Sequence, residues 1–239
     1  MPLNALGQPI GESVGSWSPP DAPPRTSLAG RYARLEPLAP EVHAESLFSA
    51  ISQDHDGRTW TYMPYGPFAS LAQYRAWLDT VADGSDPLFF TIIRCADDRP
   101  VGVASYLRIA PANGSIEVGH IHFSPLLQRS AVATEAMFLM MQRAFELGYR
   151  RYEWKCDALN APSRRAAQRL GLSFEGVFRQ ATVYKGRNRD TAWYAAIDRE
   201  WPALRAAFTR WLAPDNFTTD GDQRLRLSEL TAPILQRRG

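Results

Sequence analysis

Residues 124–141 read SPLLQRSAVATEAMFLMM. A proline and polar residues run straight into an apolar helical pattern, and the junction carries small side chains, Ser130, Ala131 and Ala133, around Val132. The first N–H groups of a helix have no intrahelical partner and sit at the positive end of the macrodipole. Small side chains there let a diphosphate approach the backbone, and Thr134 adds a hydroxyl. Close seating of the helix on a sheet would favour the same residues, so the junction alone leaves both readings open.

Outward from this point the chain has a clear order. Upstream, LFFTIIRC, the turn ADDRP and VGVASYLRIA form a strand hairpin, PANG closes the second strand, and SIEVGHIHF supplies a third. Downstream, TEAMFLMMQRAFELG is apolar on nearly every side and ends at Gly148, as expected of a helix buried against a sheet. YRRYEWKCDA alternates as a strand, APSRRAAQRLG is a short helix, and LSFEGVFRQATVYKGRNRDTAWYAAID is a strand pair turning at KGRN. Before the first hairpin, RYARLEPL alternates as a strand, and PEVHAESLFSAISQ and SLAQYRAWLDTVA have helical spacing. Between these helices runs HDGRTWTYMPYGPF, a loop dense in aromatics and turn formers. Residues 1–27 read as an extended arm with no core of its own, 28–200 as the folded domain, and 201–239 as a C-terminal helix and tail packed on that domain or on a partner subunit.

The bulk properties narrow the function classes. A hydrophobic share of 45% fits a globular chain, and no apolar run approaches the roughly 18 residues that cross a bilayer. The start, MPLNALGQPIGESVGSWSPPDAPPR, lacks the charged onset and apolar stretch of a signal peptide, so a cytoplasmic location with no membrane partner is expected. A formal charge of +2 gives no broad footprint for nucleic acid, and RRYEWK and KGRNR read as local basic clusters. Cys95 and Cys156 each lie in a strand-like apolar stretch, without metal or redox spacing, and are expected to be free thiols in the core.

Two spaced motifs weigh on the junction. Gln128-Arg129-Ser130-Ala131-Val132-Ala133 resembles the Q/R-x-x-G-x-G/A pyrophosphate loop of the GNAT acetyltransferase superfamily, read as Q-x-x-A-x-A. The TEA that follows is similar to the ribosomal-protein N-terminal acetyltransferase branch, and the second anchor is N160-A161-P162-S163 with a helix ending RLGLSFEG. The resemblance covers about residues 28–200 and implies an α+β fold, with a mixed, mostly antiparallel central sheet flanked by helices on both faces. It also implies an acetyl-CoA-dependent N-acetyltransferase that needs no metal, acting on a small-molecule or peptide amine. Ala131 departs from the family glycine: its methyl group either narrows the approach or sits in a loop that needs no positive φ there.

By this resemblance, Glu117 in IEVGH accepts the proton of the amine. His120 and His122, further along the same strand, are competitors. Many family members use a tyrosine as acid for the thiolate, but its place holds Ala167, which leaves Ser163 to hydrogen-bond or protonate the sulfur, or merely to cap a helix. Asn160 either caps that helix or holds the pantetheine amides, and Arg164 and Arg165 are poised for the 3′-phosphate. The acetyl carbonyl is expected at a backbone N–H near Leu126 or Leu127. The coenzyme set is therefore Leu127, Gln128, Arg129, Ser130, Ala131, Val132, Ala133, Thr134, Asn160 and Arg164, with Glu117 and Ser163 as the chemical groups. Trp60, Tyr62, Tyr65, Phe68 and Trp154, with Tyr184, Trp193 and His120, are expected to wall the acceptor pocket, or else to form a hydrophobic cluster under a long loop. A coenzyme-binding module without catalysis is the alternative function. Trp201, Leu204, Phe208, Trp211 and Leu212 form an apolar stripe, available either to a homodimer or to the chain's own core.

Overall fold

A computed structural model describes residues 1–239. The alternating segments form one eight-stranded sheet, in the order β1-β2-β3-β4-β5-β6-β8-β7. These strands are β1 (Leu28–Ala29), β2 (Ala33–Pro37), β3 (Leu88–Arg94), β4 (Arg99–Ala110), β5 (Ser115–Phe123), β6 (Arg151–Asp157), β7 (Ser173–Tyr184) and β8 (Arg187–Ile197). All neighbours are antiparallel except β5 and β6, which are parallel and joined through helix α3 (Ala131–Glu146). Lys185 and Gly186, both at positive φ, close the β7–β8 hairpin with the left-handed pair that its twist favours.

Each face of the sheet has its own apolar cluster. On one face α3 and α4 (Ala161–Arg169) pack with α5 (Trp201–Leu212) and α6 (Leu227–Thr231) around Leu35, Ile92, Ile116, Met140, Tyr152 and Phe208. On the other, α1 (Pro40–Ile51) and α2 (Leu71–Val81) cover only β3 and β4, around Leu47, Tyr74, Leu78, Phe89 and Val103. The alternating burial of β strands explains the division, since Ile116 and Val118 face α3 while Glu117 faces the other way.

Two features of β5 set the site. Ser105 opposes Gly119 and Val103 opposes His122, so Ala104 faces both His120 and Ile121 across a β-bulge, with His120 at φ +48°. Pairing of β5 with β6 runs from Ser115–Arg151 to Val118–Trp154 and stops there, while β6 continues to Asp157 against β8. The sheet therefore opens into a wedge beyond Val118.

Several expectations change. Cys95 is exposed, because β3 ends at Arg94 and the cysteine begins the turn; Cys156 is buried as expected, and both are free. The N-terminal arm is pinned to the body: Trp17 Nε1 donates to the Gly148 carbonyl at 3.1 Å, and Tyr149 donates to the Asp21 carbonyl at 3.2 Å. The apolar stripe of α5 is used inside the chain, with Leu204, Phe208, Trp211 and Leu212 in the main core, and so gives no free face for a dimer. The tail also joins the fold, the Phe174 N–H donating to the Arg237 carbonyl.

Glu135 on α3 fixes where the sheet begins. Its buried carboxylate accepts the N–H groups of Arg31, Tyr32 and Ala33 at 3.0, 2.5 and 2.7 Å. Glu135→Ala strands these donors and should cost about 3 kcal/mol, lowering Tm by on the order of 10 °C. Thermal unfolding that moved by a degree or less would show that the carboxylate is dispensable.

Candidate functional site

The start of α3 borders the wedge. Ser130 is the N-cap: its Oγ accepts the Ala133 N–H at 3.1 Å and donates to the Leu127 carbonyl at 2.6 Å. The N–H groups of Arg129, Ser130, Ala131 and Val132 donate to no atom of the chain, leaving a run of free donors at a helix start. The positive φ of this turn belongs to Arg129, at +57°, and Ala131 is already helical. The methyl group of Ala131 thus demands no strained backbone.

Not every residue expected here is free to serve. Thr134 is buried, its hydroxyl donating to the Ser130 carbonyl and accepting from Arg169 at 3.1 Å. Leu127 is buried in the core and its N–H donates to the Ser124 carbonyl, so of the two suggested carbonyl donors only Leu126 keeps a free N–H. Gln128 lies on the surface and donates to the Phe123 carbonyl. Arg164 is held by the Tyr194 hydroxyl and the Ala158 carbonyl, both at 3.1 Å, whereas Arg165 is exposed.

On the other strand of the wedge, Asn160 caps α4 with Oδ1 on the Ser163 N–H at 3.1 Å, leaving its amide NH2 unused. The Ser163 hydroxyl oxygen accepts the Trp154 indole N–H at 3.0 Å, and its own hydrogen can turn toward the Cys156 sulfur or toward the wedge. Trp154, expected in the wall of the acceptor pocket, packs in the main core. It points into the α3 side of the sheet, 5% exposed, and orients Ser163.

Glu117 is 3% exposed, and its carboxylate has two different ends. Oε2 takes Arg108 at 2.6 Å and Lys155 at 2.9 Å, while Oε1 lies toward Gly119. A Cβ at position 119 would press on Leu107 at 2.8 Å and sit in ordinary contact with Oε1 at 3.6 Å, and Oε1, unlike Oε2, has no ion-pair partner. Lys155 is itself nearly buried, bridging Glu117 and Glu153 and lying 3.7 Å from the Trp193 ring centroid. The sequence reading passed over Arg108 and Lys155. The alternation of RYEWKCD already set Lys155 on one face with Glu153, but nothing local sets that strand beside Glu117.

The aromatic loop closes the far end of the wedge. Trp60 is 4% exposed and stacks on His122 at 3.7 Å, and Tyr65 meets His120 Nδ1 at 3.0 Å. Tyr62 donates to the Leu159 carbonyl at 3.1 Å, Tyr184 donates to Asp157 at 2.8 Å, and Lys185 donates to the Trp60 carbonyl at 2.9 Å. Burial, aided by Arg108, lowers the His120 pKa to about 4. Burial also lowers His122 to about 4, against the opposing pull of Asp54. No group of His, Cys, Asp and Glu side chains is arranged to hold a metal, and no helix is long and apolar enough to cross a membrane.

Comparison with known proteins matches this arrangement to a family. A model described as acetyltransferase (GNAT) domain matches residues 33–173. The crystal structure of a GCN5-related N-acetyltransferase from Brucella melitensis is 48% identical, covering 92% of this chain and all of that one, with a TM-score of 0.89. A probable GNAT-family acetyltransferase from Chromobacterium violaceum is 40% identical, covering 82% of this chain and 98% of that one, with a TM-score of 0.76. Among curated relatives, an uncharacterized N-acetyltransferase, p20, from Bacillus licheniformis is 27% identical over 61% of this chain and 84% of its own. The ribosomal-protein-serine acetyltransferase of Escherichia coli is 29% identical over 42% of this chain and 56% of its own.

The two histidines give the site a pH signature. Their depressed pKa values mean that the unfolded chain, with histidine near 6.5, binds more protons than the folded one between about 6.5 and 4. Stability should therefore fall as pH drops through that window, read as a falling urea midpoint. His122→Gln should flatten the slope, and an unchanged slope would show that His122 is not buried neutral.

Proposed function

The chain belongs to the GNAT acetyltransferase family, and on that premise we propose that it transfers an acetyl group from acetyl-CoA to a primary amine of a small molecule or a protein N-terminus. The observation that carries this reading is the pairing of free N–H groups at residues 129–132 with the Glu117 carboxylate, whose Oε1 has no cation on it, at the two sides of one wedge. The residues fit the coenzyme. Four backbone donors and the positive end of α3 suit its diphosphate, Asn160 has an unused amide for the pantetheine arm, and exposed Arg165 suits the 3′-phosphate. When bound, the coenzyme supplies an activated acyl thioester.

The protein groups divide the remaining tasks. Glu117 Oε1 receives the proton of the acceptor amine, directly or through water, while Arg108 and Lys155 hold Oε2 and fix the direction of the carboxylate. Beyond Val118 the β6 side of β5 has no strand partner, so backbone N–H groups along it and at Leu126 suit the developing negative charge on the acetyl oxygen. Ser163 offers its hydrogen to the departing sulfur, its oxygen already occupied by Trp154. This assignment replaces the tyrosine that Ala167 excludes.

Calorimetric titration with acetyl-CoA, followed by thiol release with a panel of amines, tests the reading. Glu117→Gln should lower kcat by about a hundredfold or more while leaving acetyl-CoA affinity unchanged. Binding without thiol release for any amine would instead favour a coenzyme-binding module.

A further inference from the structure

Between the aromatic loop and the tip of the β7–β8 hairpin lies a cleft of about 240 Å³, lined by Trp60, Thr61, Tyr184, Lys185 and Arg187 together with Gly57 and Pro67. It contains two cations and no carboxylate. Lys185 is bonded to a carbonyl, not to an acid, and burial together with the neighbouring Arg187 charge lowers its pKa. Two like charges have thus been brought together without a counter-ion.

The carboxylates nearby form no ion pair with Lys185 or Arg187 and are held by other donors. Asp157 accepts the Leu159 N–H and the Tyr184 hydroxyl, Asp190 accepts Gln180 N–H and Asn188, and Asp54 accepts both donors of Thr59. Glu117 is neutralised by Arg108 and Lys155. Arg189, two residues further along β8 and on the same face as Arg187, has no ion-pair partner, and its Nε is buried with nothing to donate to. A buried N–H without an acceptor is unfavourable, and the Arg189 guanidinium lies 5.9 Å from the ring of Tyr184, which lines the cleft.

The cleft adjoins the chemical groups. Tyr184 bonds Asp157, which lies two residues along β6 from Lys155, or about 7 Å, and Lys155 touches Glu117. Building on the acetyl-transfer reading above, we propose that this cleft receives an anionic group, a carboxylate or a phosphate, carried by the acceptor on the order of 10 Å from its amine. The tip cations would repel a polyamine. They would also orient an anionic acceptor so that its amine reaches Glu117 Oε1.

A matched series separates the alternatives: hexylamine, 6-aminohexanoate and 6-aminohexyl phosphate, each followed by thiol release from acetyl-CoA and by calorimetric binding. At least one anionic member should exceed hexylamine in kcat/KM by roughly tenfold or more, and the better of the two identifies the anion. In Arg187→Ala that ratio should fall toward one, and in Arg187→Lys it should largely persist. Equal kcat/KM across the series, or a ratio unmoved by Arg187→Ala, would overturn the proposal. If no amine releases thiol, the acetyl-transfer reading fails, and binding then decides for the cleft. Saturable binding of an anionic member that Arg187→Ala abolishes supports it, and no such binding refutes it.

Discussion

The left-handed backbone at His120 is the constraint on which the site depends. It inserts a bulge into β5 against β4, turns the strand away from β6, and ends their pairing at Val118–Trp154. Without that turn the parallel pair would continue, its backbone groups would satisfy one another, and there would be no opening in the middle of the sheet. With it, the N-terminus of α3, the start of α4 and the carboxylate of Glu117 all border one gap. The same turn carries His120 toward Tyr65, tying the aromatic loop to the wedge.

Electrostatics divides the wedge into two kinds of surface. On the α3 side the donors are backbone N–H groups and a helix end, an arrangement suited to an anion. On the opposite face the charges are side chains, with Glu117 and Lys155 nearly buried, Glu153 beside them, and exposed Arg108 closing the network from the solvent side, capped by the Trp193 ring. Burying such a network is unfavourable unless each member is paired, and here each is. Its geometric result is a carboxylate whose one oxygen is fixed and whose other is open.

Local patterns carried most of the fold. Strand alternation and helical spacing gave the order of elements, and the small residues from Ser130 to Ala133 marked the helix start that the structure leaves with free donors. The errors came from information that no local pattern holds. Periodicity could set Trp154 on a face but not say which face, and it packs toward α3 beneath Ser163. Arg164 and Thr134 have the chemistry that would suit a phosphate, yet both are held by neighbours distant in sequence, Tyr194 and Arg169. Arg108 and Lys155 escaped notice because their partner, Glu117, meets them only through the register of three different strands.

The strand order also bears on where this protein can be cut. β8 is inserted between β6 and β7, so the span matched by the family model, residues 33–173, stops before the strand that zips along the whole of β6. A fragment trimmed to that span would leave the backbone N–H and C=O groups of β6 without the strand that pairs them, a bare sheet margin prone to pair with other copies. It would also strip Leu204, Phe208 and Leu227 from the main core. The region that the family model outlines is thus smaller than the packed unit, which includes the hairpin and the C-terminal helices.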